Sequence, residues 1–497
     1  MYELVSPVDF RLVLKYLGLL LLGMGAVLFV PFSIAVLLSE LFIASVYGVM
    51  GVFVLGLGYT LHRFIPEGEI QWKEAMVISA LVFPVAALIS SIPFSLSTGM
   101  GFPDAYFEAV SGITTTGLSV APSDAGLVFL FARSWLQWIG GIGILIIVIS
   151  LLGMPGISVS RLFGSAIGDR KIRPTVIGTA AVLFEVYLLI TIVSFLLLLA
   201  GGMAPFDAIC HAFTTVSTGG FSTRPESVAA FSGFFIPAII TIGCVLGAVN
   251  FEIYSRMVKN PAFIFRSLQF RWFVIFALLG VGLLAFTMLD RGPLQFILPE
   301  AAFQAFSAIT TAGFSTADLG AYPDSAKAVM CALMWIGGSM GSTAGGIKIL
   351  RIIVLFSIVY IIFIRFFLPR EVITTLKVGD TVIEPQQVLH LVTFVLLYGI
   401  VLIASSFIFM VHGYSLVDSL FETSSALGTV GLSIGITGPA LPLQLKLVLI
   451  IDMLLGRIEI IPLALLIFPR TWVKASRGGK NKKPKKMTGE SNGRGND

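Results

Sequence analysis

Four short stretches carry residues whose types and spacing could do chemistry. TTTGLS (114–119), STGGFS (217–222), TTAGFS (310–315) and GTVGLS (428–433) all read T-x-G-(L/F)-S when aligned on Gly117, Gly220, Gly313 and Gly431. Thr115, Thr218, Thr311 and Thr429 are shared, Thr116, Gly219, Ala312 and Val430 vary between them, and Thr114, Ser217, Thr310 and Gly428 precede. A dehydrated monovalent cation needs several oxygens at once. An extended strand whose successive carbonyls face one axis supplies them, and a threonine hydroxyl adds another. Glycine suits such a strand because the backbone angles it needs are poorly populated by residues with a side chain. Four such strands around one axis are therefore expected to form a cation filter.

The flanks repeat as well. An acid stands thirteen residues before each glycine (Asp104, Asp207, Glu300, Asp418), and a further glycine 23 to 25 residues after it (Gly140, Gly243, Gly337, Gly456). About eleven residues separate acid from threonine, enough for roughly three helical turns. Pro103, Pro205 and Pro299 stand at or just before the start of three of these helices. The acids read as caps or first-turn charges against the helix dipole, and secondarily as attraction for cations at an outer vestibule. Glu108, His211, Gln304 and Glu422 share one position on these helices, and we read it as hydrogen-bond support behind the filter rather than as a metal ligand.

A second constellation lies deeper. GGSMGSTAGGIK (337–348) has five glycines in twelve residues, where each glycine costs a helix about 1 kcal/mol relative to alanine. The helix should open into a loop near mid-membrane, where irregular backbone is tolerated only along a water-filled path. Gly337, Gly338, Gly341, Ser342, Thr343, Ala344, Gly345, Gly346 and Lys348 are thus candidate gate residues below the filter. The stretch lacks the G-x-x-x-x-G-K-(S/T) spacing of a phosphate cradle. Arg457 and Lys348 are costly inside a span. Arg457 either pairs with Asp452 or Glu459 or places a cation under the filter, whereas Lys348 could reach the inner surface.

Apolar spans must position these residues. Of 497 residues, 57% are hydrophobic and 12% charged, and runs of about 20 apolar residues suffice to cross a bilayer. Spans are expected near 16–38, 41–61, 75–97, 127–152, 176–201, 230–253, 271–289, 327–364 (interrupted), 386–411 and 441–468. The fold class is an all-α polytopic membrane protein. Four pseudosymmetric span–pore helix–filter–span repeats surround one pore and follow two extra transmembrane helices. The units are a hairpin at 1–72, repeats at 73–160, 161–262, 263–370 (with the gating loop) and 371–475, and a basic tail at 476–497. With both termini cytoplasmic, 25 of the 32 Lys and Arg fall inside and five outside (Arg133, Arg224, Arg291, Lys327, Lys446), in keeping with the positive-inside rule.

Other classes find little support. The first apolar run is too long for a cleaved signal peptide. Cys210, Cys244 and Cys331 suggest neither a disulfide framework nor a metal site. No nucleophile and base are organised, and the four histidines are scattered, so no enzyme and no bound cofactor are expected. KNKKPKK (480–486) is a solvated basic tail that can touch anionic lipid; nucleic-acid binding would need far more.

The filters, together with QWIGGIGI (137–144), VSTGGFST (216–223), GSTAGGIKILR (341–351), FETSSALGTVGLSIG (421–435) and GRIEIIPL (456–463), resemble the potassium-translocating membrane subunits of the Trk/Ktr/HKT superfamily. The two extra spans bring the chain nearer the Trk branch. The likeness covers about residues 1–475. It implies a homodimer with one pore per chain, a separate cytoplasmic nucleotide-binding regulator, gating by the 337–348 loop, K⁺ selectivity from a glycine at all four filters, and location in the cell membrane. The competing expectation is a secondary transporter coupling K⁺ to H⁺ or Na⁺, or a poorly selective K⁺/Na⁺ pathway.

Overall fold

A computed structural model describes residues 7–66, 68, 70–152, 176–231, 233–257, 260–369, 375–379 and 381–472. The expected inner loop with Arg161 to Arg173, the boundaries at 160, 370 and 475, and the tail at 476–497 lie outside the described residues.

Each apolar run is helical. The first span runs Phe10–Val27 and continues as Phe29–Leu37; it starts earlier than hydropathy suggests because the Asp9 carboxylate caps it, accepting from the Arg11 N–H at 2.9 Å. Leu41–Phe64 is the second span and Trp72–Thr98 the third, the latter opened by a Gln71/Glu74 capping box. Leu127–Leu152, Val176–Ala200 and Leu268–Thr287 are the fourth, fifth and seventh, and Pro385–Val411 the ninth. A two-stranded hairpin, Lys377–Val378 with Thr381–Val382, precedes the ninth span and adds a small sheet to a fold read as all helical.

Three spans are broken, and only one break was expected. The eighth is Asp324–Ile336, then a loop, then Ile349–Arg365. The sixth is Phe235–Ala248 and Phe251–Met257, bent by 97°. Asn250 makes that bend, its side chain accepting from the Glu252 N–H to start the second piece. The tenth is Leu443–Ile458 and Ile460–Ile467, parted at Glu459 with φ +68°.

Between the paired spans lie the pore helices Phe102–Ile113, Pro205–Val216, Leu294–Ile309 and Leu416–Leu427. Pro103 and Pro205 sit in first turns as expected, but the third helix begins at Leu294. Pro299 therefore lies inside it, and Glu300 is beyond its first turn. The N-caps are Gly101, Ala204, Pro293 and Ser415, so none of the four acids is a cap.

The extra hairpin packs through glycine: a Cβ on Gly58 would lie 2.8 Å from the Gly18 carbonyl oxygen, the close approach that small residues permit between membrane helices. One apolar cluster then joins Phe83 and Phe94 of the third span, Phe129 of the fourth and Met453 of the tenth, so the last repeat closes against the first.

Candidate ion pathway

The four pore helices end alike. Their C-caps, Thr114, Ser217, Thr310 and Gly428, have φ of −80, −75, −75 and −75° with ψ between −7 and 0°. The next residues, Thr115, Thr218, Thr311 and Thr429, are left-handed at φ +54, +52, +54 and +49°. Thr116, Gly219, Ala312 and Val430 return to negative φ, and Gly117, Gly220, Gly313 and Gly431 are positive again at +94, +78, +72 and +92°. Alternating the sign of φ turns successive peptide planes the same way, so the carbonyls line one side of the strand rather than alternating between two. A β-branched residue in the left-handed region costs about 1–3 kcal/mol and persists only where its surroundings over-determine it.

Those surroundings are the pore helices themselves. The N–H groups of Thr115, Thr218, Thr311 and Thr429 donate to the carbonyls of Gly112, Thr215, Ala308 and Ala426 at 3.0, 3.1, 3.2 and 3.0 Å. Those of Thr116, Gly219, Ala312 and Val430 donate to Ser111, Thr214, Ser307 and Ser425 at 2.9, 2.8, 3.0 and 2.8 Å. These two donors of each strand are thus bonded behind it, on its own helix.

The strands form one closed ring. A Cβ added to Gly117 would fall on the Gly219 carbonyl oxygen, one on Gly220 on Ala312, one on Gly313 on Val430, and one on Gly431 on Thr116. Each glycine makes room for the carbonyl that precedes the next repeat's glycine. This is a requirement on space as well as on φ, and it explains why the residue is glycine four times.

Behind the ring, one position per pore helix holds the serine that follows each filter. The Glu108 carboxylate accepts from the Ser119 hydroxyl at 2.6 Å and from the Ala121 N–H at 2.9 Å. Glu422 accepts from Ser433 at 2.7 Å and from the Ile434 N–H at 2.9 Å. His211 meets Ser222 through Nε2 at 3.0 Å, and Gln304 reaches Ser315 at 3.3 Å. The hydrogen bonds expected at this position are present in all four repeats.

Directly beneath, the 337–348 loop presses on the inner ends of three strands. Gly345 N–H donates to the Thr311 hydroxyl at 2.8 Å, the Thr218 hydroxyl lies 3.2 Å from that of Thr343, and Gly346 N–H donates to the Gly428 carbonyl at 3.1 Å. Gly337 packs its α-carbon against the Gly345 backbone, and Gly338 and Gly341 against Ala248 and Asn250. Ser342 and Ala344 are buried in the same loop, and Lys348 opens the inner helix at φ +77°. Arg457 reaches across from the tenth span and donates to the Thr343 carbonyl at 2.6 Å and the Gly140 carbonyl at 3.0 Å. It bridges the loop to the first repeat. It pairs with neither expected carboxylate: Glu459 takes Arg351 at 2.6 Å, and Asp452 accepts from Ser405 at 2.8 Å.

Comparison with known proteins fits this geometry. The family model for TrkH, a cation transport protein, matches residues 69–472. The chain belongs to the TrkH family. It is 30% identical to the Trk system potassium uptake protein TrkH of Halomonas elongata, with 93% of this chain and 99% of that protein covered. It is 29% identical to TrkH of Escherichia coli, with the same coverage, and 29% identical to an uncharacterised cation transporter of Methanocaldococcus jannaschii, with 94% and 97% covered. The crystal structure of the potassium transporter TrkH from Vibrio parahaemolyticus superposes with a TM-score of 0.83 at 27% identity, covering 94% of this chain and all of that one.

Two features of this TrkH-family fold escaped the sequence reading. The first is the hydroxyl six residues before each glycine: Ser111 and Ser425 accept from Gly117 and Gly431 N–H at 3.0 Å, and Ser307 donates to the Phe314 carbonyl at 2.6 Å. Ser111, Thr214, Ser307 and Ser425 recur in register, so aligning the repeats on hydroxyls would have found them. The second is Gly247. A Cβ on Gly140 would fall on the Ile113 carbonyl and one on Gly456 on Leu427, each the last residue of its pore helix. The counterpart in the second repeat is Gly247, against Val216, and not Gly243, which meets the Thr215 side chain. The cations expected on the outer side also make specific pairs: Lys446 with Asp104 at 2.6 Å, Arg224 with Asp207 at 2.8 Å and Lys327 with Asp418 at 2.8 Å.

Proposed function

We propose that the chain is a potassium uptake protein of the cell membrane, passing K⁺ inward through the ring of Thr114–Gly117, Ser217–Gly220, Thr310–Gly313 and Gly428–Gly431. The observation that carries this is the closed ring of four strands, in which the N–H groups of each shared threonine and of the residue after it bond back to the strand's own pore helix and the alternating φ turns the carbonyls to one side. The buried hydroxyls of Thr115 and Thr429 have no partner among the described residues, as suits oxygens that take turns with a passing ion. The inside-negative potential contributes about 2.3 kcal/mol per charge per 100 mV, enough to concentrate K⁺ without a bound cofactor.

The relatives named for a Trk system and for potassium uptake support this ion and a membrane subunit that works with further components. We take the chain to act as a homodimer with a separate cytoplasmic nucleotide-binding regulator, both termini cytoplasmic. Gating falls to the 337–348 loop with Arg457, whose guanidinium lies under the filter without an acidic partner among the described residues.

Rb⁺ uptake into proteoliposomes, with Na⁺ as competitor, tests the reading. Uptake that rises with an inside-negative potential and resists Na⁺ supports it, and equal Rb⁺ and Na⁺ flux overturns the selectivity. Asp452 favours a second reading, coupling to H⁺ or Na⁺: it is 1% exposed and its second carboxylate oxygen lacks a partner among the described residues. Accumulation of Rb⁺ under an imposed pH gradient at zero voltage would decide for coupling.

A further inference from the structure

The four filter strands are alike in backbone but not in what stands behind them. Thr116 bonds through its own hydroxyl to that of Thr114 at 2.8 Å. Ala312 sits in an apolar cluster with Phe303, Phe314 and Cys244, and Val430 in another with Phe421 and Met334. Gly219 brings nothing of its own, and its chain neighbour Gly220 is also glycine. Two adjacent glycines are the most permissive backbone the chain can offer, at a place where ion discrimination demands a fixed ring.

Gln137 of the fourth span, which belongs to the first repeat, fills that gap. It is fully buried. Its Nε2 donates to the Gly219 carbonyl at 2.6 Å, and its Oε1 accepts from the Phe221 N–H at 3.2 Å. A Cβ on Gly219 would fall on the Gln137 amide group. The amide thus occupies the volume that a filter side chain fills in the other repeats, and it grips the strand on both sides of Gly220. Counting three residues back from the glycines that pack on the pore-helix ends or the loop, the other repeats carry Cys244, Met334 and Met453, all buried and apolar. Cys244 shares a cluster with Ala312 and Met334 one with Val430. In each such pair a span residue of one repeat backs the filter of the next. Only the pair with a bare glycine uses an amide.

Resting on the filter reading above, we propose that Gln137 is a positioning residue for ion discrimination, holding from the neighbouring repeat the Gly219–Gly220 strand, which brings no filter side chain of its own. Without it the Gly219 carbonyl and the Phe221 N–H lose their anchor, the second strand can shift toward a smaller ion despite its bonds to Thr214 and Thr215, and the ring loses its advantage for the larger one. Gln137→Leu keeps the volume but neither hydrogen bond, and Gln137→Ala keeps neither volume nor bonds.

The test is Rb⁺ uptake by the full chain in proteoliposomes against graded Na⁺, with size-exclusion chromatography confirming assembly. Gln137→Ala and Gln137→Leu should each lower Rb⁺ over Na⁺ discrimination by about tenfold, as expected when buried hydrogen-bonding groups lose their partners, while Rb⁺ flux persists. Gly219→Ala alone should lose flux, because its methyl falls on the glutamine. The Gln137→Ala/Gly219→Ala pair should recover discrimination, since the added methyl then takes the vacated space, as Ala312 does in the third repeat. Such rescue would not follow from a general loss of stability. Wild-type discrimination in Gln137→Leu, or a double variant no better than the worse single one, overturns the proposal. Gly313→Ser separates the two ideas: if it too retains discrimination, the filter reading falls, whereas its loss beside an unaffected Gln137→Leu removes Gln137 alone.

Discussion

The strand side and the loop side of the proposed pore obey different rules. On the strand side, four pore helices end in four strands whose φ values agree within about 20° at the helix C-cap, the shared threonine and the glycine. On the loop side, the four second spans diverge: the first is continuous, the second turns through 97°, the third opens into a loop, and the fourth breaks at one residue. An ion held by a ring needs equivalent ligands on every side, so departure in one strand is felt by all. A gate needs the opposite: one element able to move while its neighbours stay packed, which a symmetric ring of helices cannot provide.

The contrast breaks most visibly at the ring. Gly313→Ser puts a side chain on the Val430 carbonyl and forces it into a left-handed backbone. Overpacking of this kind costs about 1–3 kcal/mol and the backbone adds a similar amount. Rb⁺ uptake in proteoliposomes should fall by about 100-fold, the equivalent of roughly 2.7 kcal/mol. Gly431→Ser, which meets Thr116, should match it. A tenfold difference between the two would show that the ring is not equivalent around its axis.

Inner changes should act in the other direction. Shortening 341–346 removes the bonds from the loop to Thr218, Thr311 and Gly428, and uptake should rise. Arg457→Gln removes a cation from below the filter and weakens the tie from Thr343 to Gly140. It should raise Rb⁺ flux by about tenfold, since a desolvated charge–carbonyl bond contributes about 1.5–3 kcal/mol, with discrimination against Na⁺ unchanged. Unchanged flux in both variants would make the loop a structural feature alone.

What could be read from the sequence follows the same division. T-x-G-(L/F)-S, its acids and its support position were legible because four copies in one chain act as their own alignment. The 337–348 loop was legible because five glycines violate helix propensity outright. The bend at Asn250 and the break at Glu459 were hidden, for each depends on one residue whose neighbours read as an unbroken apolar helix. Arg457 was visible as costly, but its carbonyl partners lie 114 and 317 residues away, a distance no local pattern spans. Gly243 was matched in place of Gly247 because the count assumed four equal spans, and the second repeat reaches its bend four residues late.

The layer behind the strands comes next in expected size. One Glu108 oxygen accepts from the Ser119 hydroxyl and from two backbone N–H groups, and Arg133 stands 3.7 Å from the other. Glu108→Ala leaves those buried donors and the guanidinium without their acceptor, at about 1–3 kcal/mol for each buried group stranded. Thermal unfolding in detergent should come several degrees earlier, with Rb⁺ uptake reduced in proportion to the protein lost. A full-strength, fully stable Glu108→Ala would remove this layer from the account of how the strands are held.

The smallest effect is expected where one repeat already shows the answer for another. His211 and Gln304 occupy the same position, and each reaches the serine two residues past its filter glycine, at 3.0 and 3.3 Å. His211→Gln therefore transplants the third repeat's solution into the second, where an amide can still bond to Ser222. It gives up the contact of Nδ1 with the Asp207 carbonyl at 2.8 Å and the stacking on Phe314, 6.0 Å between ring centres, which together are worth about 1–2 kcal/mol. Unfolding should shift down slightly, while Rb⁺ uptake and its resistance to Na⁺ stay within about twofold, because the backbone of the strand is held by Thr214 and Thr215 and not by the ring of His211. A large loss of discrimination would mean that the repeats are equivalent in backbone only, and that each support side chain is tuned to its own strand.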